Sequence, residues 1–304
     1  MSRDLSPHKK IDLNFLFLAP VKMSKSAFEI MAKKPAANNF SISCTFGPVA
    51  ENGTGKNEKI GTDLKHGFTL EEFLAAHAKL DSLGVDAKIY NLGDLLIGAD
   101  LPEDMPKPNP AYILIMRGVV DSVFKVHKKT ALDLTNQLKD DEMYDKKKYM
   151  RGAVKNCWAR ICCCVADFSQ KANYSVIPVK GTVHDFKSLP LLNLLRNVNE
   201  IIFGPKAKKF YCELNKYHHD KAGIGFHGDA ERKLVICYKC GDKRMKLKFQ
   251  WYYRHKRIGK MFEVEIGEGD GYAMSEFATG YNWKSSSFPT LRHSSGREKS
   301  KHIV

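Results

Sequence analysis

The chain has 304 residues, of which 43% are apolar and 27% are charged, and it carries a formal net charge of +15. This composition is that of a folded globular protein and excludes a collagen-like or low-complexity chain. No apolar run reaches the ~20 residues of a membrane-spanning helix, and Asp12 and Asn14 interrupt the apolar stretch 11–21. We therefore expect an intracellular protein with no membrane partner, and the basic balance indicates a polyanionic partner.

The eight cysteines favour a reducing compartment. Three of them are consecutive, at positions 162–164, which does not suit a disulfide framework. Cys237 and Cys240 have the spacing of a zinc knuckle, but no second pair lies at a suitable distance. We interpret this pair as the end of a strand that enters a turn at Gly241.

The first third of the chain predicts few regular elements. A strand is expected over 13–18, a short helix over 24–34 and a loop over 36–65, where Gly, Asn, Thr and Ser are frequent. Thr69 and Glu72 have the form of a capping box, so a helix should start there and end before Gly84. Four prolines between 101 and 110 are typical of a linker. We therefore predict a partly disordered accessory region, 1–106, and a catalytic domain, 107–304.

The sequence after residue 110 predicts mainly helices at first and then mainly strands. We expect a strand over 111–116, helices over 129–138, 146–164 and 189–202, and a loop or hairpin over 167–187. From residue 209 onward period two dominates: Met245, Leu247, Phe249 and Trp251 alternate with polar residues. Short antiparallel strands with tight turns indicate a sandwich or jelly roll, so the fold class is α+β.

The segment 223–232 carries the strongest chemical signal. His227 and Asp229 form an H-x-D pair directly before the apolar run 234–236. Because residues i and i+2 of a strand lie on one face, this imidazole and carboxylate could bind one metal ion together. A second H-x-D stands at His218-His219-Asp220, but it lies among polar residues. Metal binding and an ordinary surface histidine both remain open for His227 on this pattern alone.

A third ligand is expected from a distant histidine, since two His and one carboxylate form the iron-binding face of non-haem oxygenases. His293 falls 64 residues after Asp229, in a strand that runs into a turn. His255 lies in a basic turn and His302 lies near the end of the chain. The spacing favours His293 as the ligand, over a role as a capping or surface residue.

These motifs together resemble a known family. Asn215-x-Tyr217, followed by Gly225-Phe-His227-Gly-Asp229-x-Glu231, resembles the AlkB-like Fe(II)/2-oxoglutarate dioxygenases. Met274-Ser-Glu276 and Thr290-Leu-Arg-His293-x-x-Gly296 are similar to AlkB-type proteins of large DNA viruses and protists. The resemblance covers the predicted catalytic domain and leaves the accessory region outside it.

The resemblance implies a double-stranded β-helix, or jelly-roll, core with flanking helices. It implies iron held by His227, Asp229 and His293, with 2-oxoglutarate and O2 as cosubstrates. Asn215 and Tyr217 would contact 2-oxoglutarate, and Glu231 would contact the target base. The region 167–187 would form a nucleotide-recognition lid.

The chain departs from the family pattern after His293, the last of the three expected metal ligands. The family places a 2-oxoglutarate-binding arginine on a strand well beyond that residue, whereas 11 residues follow His293 here. A basic residue is still required, because burying an unpaired carboxylate is costly. Lys299 is the residue that the viral-type pattern favours, and Arg297 is the alternative.

The predicted substrate is a base in DNA or RNA, single-stranded or flipped out of a duplex. Between positions 206 and 260 there are 16 Lys or Arg and five Asp or Glu. We expect phosphates or the target nucleotide to contact a set of basic residues near the iron site, namely Arg232, Lys246, Lys248, Arg254 and Arg257. A solvated strand edge would also explain the lysines.

The predicted activity is therefore oxidative removal of alkyl groups from nucleic-acid bases, in repair or demethylation, by a monomeric enzyme. The first alternative is a 2-oxoglutarate-dependent hydroxylase or demethylase that acts on protein or a small molecule. The second is a nucleic-acid-binding protein whose iron site is vestigial.

Overall fold

The computed structural model describes residues 39–51, 53, 55–157, 160–218 and 222–296. The strand expected over 13–18 and the helix expected over 24–34 lie outside these residues. Arg297 and Lys299 lie outside them as well.

The described residues form short helices and many strands. The strands are β1 (Ser41–Gly47), β2 (Val49–Glu51), β3 (Lys59–Gly61), β4 (Asp86–Asn91), β5 (Tyr112–Arg117), β6 (Lys147–Met150), β7 (Ala153–Asn156), β8 (Arg160–Ala166), β9 (Val183–Asp185), β10 (Tyr211–Tyr217), β11 (Gly223–His227), β12 (Val235–Cys240), β13 (Met245–Tyr253), β14 (Lys256–Ile266), β15 (Gly271–Met274) and β16 (Thr290–Gly296). The α-helices are α1 (Leu70–Ser82), α2 (Val119–Phe124), α3 (Ala131–Leu138) and α4 (Pro190–Phe203).

Two large sheets organise these strands. The larger sheet has the order β4-β5-β15-β12-β1-β10-β8-β9, and the smaller one has the order β11-β16-β13-β14. The neighbours within both sheets are antiparallel, apart from the parallel pair β8–β9. Two further hairpins are formed by β2 with β3 and by β6 with β7. The fold is thus mixed, with mostly antiparallel sheets and few helices, in agreement with the coarse part of the fold prediction.

The two large sheets share one apolar core. On β13 the alternation places Leu247, Phe249 and Trp251 inward, where they join Cys237 and Tyr272 of the larger sheet. Each such side chain contributes about 1.5–3 kcal/mol when it is fully buried. This face-to-face packing of two sheets is compatible with a sandwich or jelly roll, and it leaves a cavity between the sheets.

Helices cover the opposite face of the larger sheet. The Tyr238 hydroxyl of β12 donates to Asn199 Oδ1 of α4 at 2.6 Å. Phe46 of β1 stacks on Phe186 with their ring centroids 6.4 Å apart. The larger sheet is therefore buried on both faces, which explains the near-continuous burial of β1, β10 and β12. Among the described residues, no helix is long and apolar enough to cross a bilayer.

The helix expected after Thr69 is confirmed as α1. The Thr69 side chain accepts from the backbone N–H of Glu72, and the Glu72 carboxylate accepts from the backbone N–H of Thr69. The predicted helices over 129–138 and 189–202 correspond to α3 and α4.

The helix expected over 146–164 is wrong, because this segment forms β6, β7 and the start of β8. β8 pairs with β10 from Arg160 to Val165, and its cysteines are buried on both faces. Pairing in a doubly buried sheet overrides the local helical pattern, since a continuous apolar run has no period that separates a helix from a buried strand.

The loop expected over 36–65 is wrong where β1 forms. In β1, Ser41, Ser43 and Thr45 alternate with Ile42, Cys44 and Phe46, so one face is polar and the other apolar. β1 lies between β10 and β12 and pairs antiparallel with both.

The larger sheet also crosses the domain boundary that the sequence predicted between residues 106 and 107. β4 pairs with β5 across that boundary, and β1 lies between two strands of the predicted catalytic domain. The physical reason is that prolines mark a bend in the chain, but a sheet can continue on both sides of it. Residues from 41 to 106 therefore contribute strands to the larger sheet, which forms one wall of the cavity described below.

Candidate metal centre

Two adjacent strands bring the three predicted metal ligands together. His227 ends β11, and it lies directly opposite His293 of β16 in the antiparallel register. The Asp229 Oδ1 atom is 3.6 Å from His227 Nε2 and 3.5 Å from His293 Nε2. The ligand atoms of all three residues lie within 4.8 Å of one another. One ion could therefore contact the three side chains simultaneously.

The protonation states of the ligands suit a cation. Burial lowers the pKa of His227 to about 4, and the neighbouring His293 adds to this shift. The ring Nδ1 of His227 lies 2.8 Å from the carbonyl oxygen of Gly225, which can only accept, so Nδ1 carries the proton. The Nε2 lone pair is then available to a metal. Two imidazoles and one carboxylate are a donor set for Fe(II) and related divalent metals.

Arg232 fixes the carboxylate of this set. Burial by itself would raise the pKa of Asp229, but Arg232 and the two histidines lower it well below its usual range. The Arg232 guanidinium bonds Asp229 at 3.2 Å, and Glu213 and Glu231 at 2.9 Å each. Asp229 is therefore ionised and held in place before any metal binds.

A close backbone contact explains the glycine between the two ligands. A Cβ atom on Gly228 would lie 1.9 Å from the carbonyl oxygen of Gly280 and 2.7 Å from Trp283 Cδ1. The next residue, Asp229, donates its backbone N–H to the carbonyl of Thr279 at 2.9 Å. The segment 279–283 thus packs against the H-x-D turn, which only glycine allows.

The three ligands line a cavity of about 310 Å³ between the two sheets. The predicted site residues Asn215, Tyr217, Glu231 and Arg232 also line it. Asn215 and Tyr217 lie on the cavity face of β10, where i and i+2 share one side. The structure therefore collects the metal ligands, the two expected cosubstrate residues and the expected base-contacting acid in one place.

Comparison with known proteins gives one informative relative and no matching family model. The chain is 34% identical over 260 residues to "Uncharacterized protein R156" of Acanthamoeba polyphaga mimivirus, a match that covers 85% of this chain and 96% of that protein. The chain belongs to the family of this mimivirus protein. The relative's name states no activity, so the function is inferred from the geometry of the site.

In this family member the first part of the chain contributes to the cavity, which the sequence did not predict. Ser43 and Thr45 of β1 and Glu51 of β2 line it. Burial raises the pKa of Glu51 to about 8, and the nearby Glu231 and Glu213 add to the shift. The period-two pattern of β1 was a usable signal, but it is short and lies in a segment of loop-like composition.

The rim of the cavity comes from a different segment than the one predicted as a lid. Lys148, Tyr149 and Met150 of the β6–β7 hairpin line the cavity, whereas no residue of 167–187 does. Arg160, at the start of β8, lines it as well. These residues were missed because their segment was interpreted as a helix.

Four predicted substrate-binding residues lie outside the cavity. Lys246 and Lys248 project from the outer face of β13, and both bond Glu263 of β14. Arg254, in the β13–β14 turn, bonds Asp104. Arg257 donates to the Tyr252 hydroxyl at 3.2 Å. For the two lysines the reason is the alternation of side chains along a strand: Leu247, which lies between them on β13, faces the cavity, so Lys246 and Lys248 face away from it.

Arg232 lies in the cavity wall, but its contacts differ from those of a residue that binds substrate. It is buried, and its guanidinium contacts three carboxylates and the carbonyl of Val49. We therefore assign it a positioning role instead.

The second H-x-D motif lies elsewhere. His218 is 3.9 Å from Asp141 and borders a separate cavity, and His219 and Asp220 fall outside the described ranges.

Proposed function

We propose that this protein is an Fe(II)- and 2-oxoglutarate-dependent dioxygenase of the AlkB-like type that oxidatively removes alkyl groups from nucleic-acid bases. The observation that carries the proposal is the convergence of His227, Asp229 and His293 on one cavity that also contains Asn215 and Tyr217. The proposal includes a double-stranded β-helix core. It is supported by the two opposed antiparallel sheets, with the first two ligands at the end of β11 and the third on its partner β16.

Each ligand residue has a defined task in this proposal. His227 presents the Nε2 atom of a neutral imidazole, His293 presents a second imidazole nitrogen, and Asp229 presents an ionised carboxylate that Arg232 orients. When bound, Fe(II), 2-oxoglutarate and O2 would supply the oxidising chemistry: O2 would be the oxidant, 2-oxoglutarate would become succinate and CO2, and the hydroxylated N-alkyl carbon would leave as an aldehyde. The protein's residues bind these partners, orient the alkyl group and exclude water from the space between the sheets.

The cavity wall offers groups that can recognise a base. Glu51 and Glu231 line it, and burial raises the pKa of both. A protonated carboxyl group donates one hydrogen bond and accepts another, which suits the mixed donors and acceptors on the edge of a base. The Tyr149 ring, on the rim hairpin, offers an aromatic surface for stacking.

The outer face of the smaller sheet supports a polyanionic substrate. Arg292 precedes the ligand His293, so alternation turns it to the face opposite the metal site. Its guanidinium lies 4.1 Å from the ring centroid of Tyr252 and 5.2 Å from that of Trp283. On the same face, the Arg257 guanidinium lies 5.1 Å from the ring centroid of Phe226. Cations interleaved with aromatic rings suit single-stranded nucleic acid, which binds by stacking and phosphate contacts.

The proposal is tested with methylated oligonucleotides in the presence of Fe(II), 2-oxoglutarate and O2. We expect release of succinate and formaldehyde and loss of the methyl mass from the oligonucleotide. His227→Ala should abolish all three signals together with metal binding. His218→Ala is the matched control, because it alters the other H-x-D motif, and it should leave all three signals intact.

Two outcomes would contradict the proposal. Full turnover by His227→Ala would show that the metal site is wrong. Succinate release that no oligonucleotide stimulates would remove the nucleic-acid substrate and favour a hydroxylase of proteins or small molecules.

A further inference from the structure

Lys239 and Arg160 are two cationic residues near the cavity that have no carboxylate partner within 4.0 Å among the described residues. Lys239, on β12, is only 2% exposed. Its ammonium donates to Ser43 Oγ at 2.6 Å and lies 3.7 Å from Met245 Sδ. Buried charges in proteins are normally paired, because an isolated buried charge is costly. A buried lysine whose contacts are a hydroxyl and a thioether therefore requires an explanation.

The two cations lie on either side of Tyr217. Arg160 of β8 is opposite Tyr217 of β10 in the sheet register, and it hydrogen-bonds the Tyr217 hydroxyl. The Lys239 ammonium lies 5.5 Å from the centroid of the Tyr217 ring. This end of the cavity thus places a guanidinium and a lysine amine around one phenol.

The strand register aligns further polar residues beside these two cationic residues, across β10, β1 and β12 of the larger sheet. Asn215 of β10 is opposite Ser43 of β1, and Ser43 is opposite Lys239 of β12. Ser41, on the same face of β1, has a buried hydroxyl with no hydrogen-bond partner in the described part of the chain. Hydroxyl groups and ammonium or guanidinium groups are donors, so this end of the cavity is arranged to bind an acceptor with negative charge.

Ser43, Tyr217 and Arg160 line the same cavity as the metal ligands. A ligand that binds the metal at one end could therefore place a second acidic group here. We propose that Lys239 and Arg160, with Tyr217 and Ser43, form a subsite for the far carboxylate of a dicarboxylate ligand. This inference rests on the proposed function, in which that ligand is 2-oxoglutarate, and it assigns the role expected of Lys299 or Arg297 to two residues within the sheet.

The subsite predicts a measurable preference for a second carboxylate. The probes are 2-oxoglutarate and 2-oxobutyrate, a 2-oxo acid that lacks the far carboxylate, titrated by calorimetry into the protein loaded with redox-inactive Mn(II). The unmodified protein should bind 2-oxoglutarate at least tenfold more tightly, which corresponds to about 1.4 kcal/mol. Lys239→Met and Arg160→Gln should each reduce that ratio toward one, while the affinities for Mn(II) and 2-oxobutyrate stay the same.

Two further variants control for folding and for charge. Lys239→Arg keeps the positive charge and should retain most of the preference. Lys216→Met removes another buried lysine of the same sheet, which bonds Asp141 and the carbonyl of Lys139. Lys216 alternates with Asn215 and Tyr217 and so lies on the opposite face, and its loss should leave the preference unchanged.

The outcomes separate the two proposals. If the Mn(II)-loaded protein binds neither 2-oxo acid, the proposed function fails. If it prefers 2-oxoglutarate and both charge-removing variants keep that preference, the subsite is wrong and the dioxygenase proposal stands. If Lys239→Met does not fold, Arg160→Gln alone decides the question.

Discussion

At the scale of single residues, Arg232 links the metal ligand Asp229 to the other acids of the cavity. It contacts Asp229, Glu213 and Glu231 with one guanidinium. Without it, these buried carboxylates would repel one another and would raise each other's pKa. The same side chain thus allows the acids proposed for base recognition and the ionised carboxylate proposed as a metal ligand to occupy one cavity.

The residue-scale prediction concerns Gly228. In Gly228→Ala the new methyl group would meet the carbonyl oxygen of Gly280 at 1.9 Å, so the H-x-D turn must move. Overpacking of this kind costs about 1–3 kcal/mol of stability. We expect a lower melting temperature and weaker Mn(II) binding, measured by calorimetry.

Gly225→Ala is the matched control for this prediction. It adds the same methyl group three residues earlier, on β11, but no atom outside the neighbouring residues lies within 4 Å of that position. Equal loss of metal binding in the two variants would contradict the packing argument.

At the scale of elements, the two ends of the β13–β14 hairpin differ in charge. Near its open end Lys246 and Lys248 face Glu265 and Glu263 across the strands, so their charges balance. Around the turn, positions 254–260 contain four cations and no acid. Two cation–ring contacts lie beside the turn. Arg257 packs on the ring of Phe226 from β11, and Arg292 from β16 packs on the ring of Tyr252. We therefore expect nucleic acid to bind at the turn end of the hairpin.

Salt dependence tests which part of the hairpin contacts phosphates. Each contact contributes about −0.7 to −0.9 to the slope of log K against log salt, so about four contacts give a slope near −3. Lys256→Gln with Arg257→Gln should flatten the slope by about 1.5. Lys246→Gln with Lys248→Gln should leave it unchanged, because Glu263 already pairs with both lysines.

Fluorescence anisotropy with a labelled single-stranded oligonucleotide would measure these slopes. A larger change from the Lys246 and Lys248 pair would return the contact surface to the strand that the sequence suggested. A slope near zero in the unmodified protein would remove the nucleic-acid substrate.

At the scale of the whole molecule, strands from residues 41–91 belong to the larger sheet, which forms one wall of the candidate metal site. β1 pairs with β10 and β12, and its Ser43 and Thr45 form part of the cavity wall. β4 extends the sheet at one edge through β5. A strand at the centre of a sheet satisfies backbone groups on both of its neighbours, so its loss would leave buried donors and acceptors without partners.

Truncation tests this dependence. A chain of residues 107–304, the predicted catalytic domain, lacks β1 and should fail to give a cooperative thermal transition or a soluble monomer. A chain of residues 35–304 retains every described residue and should give both. Circular dichroism and size-exclusion chromatography would measure this. A folded, metal-binding 107–304 chain would contradict the role assigned to β1.

The sequence by itself determined the local elements and the chemistry of the ligands. The capping box at Thr69, the alternation in β13 and the H-x-D pair at His227 and Asp229 each depend on residues that are close in the chain, so spacing alone reveals them. Motif and spacing also selected His293 among the late histidines, and the structure places it beside His227 and Asp229.

Only the tertiary structure decided which distant residues meet. The pairing of β1 with β10 and β12 joins residues that are about 170–200 positions apart, and no local pattern encodes that choice of partner. The same pairing brings Ser43 and Lys239 together, and the register of β13 with β16 directs Lys246 and Lys248 away from the cavity. Sheet register fixes which side chains share a face, and register is a property of the assembled sheet rather than of any one strand.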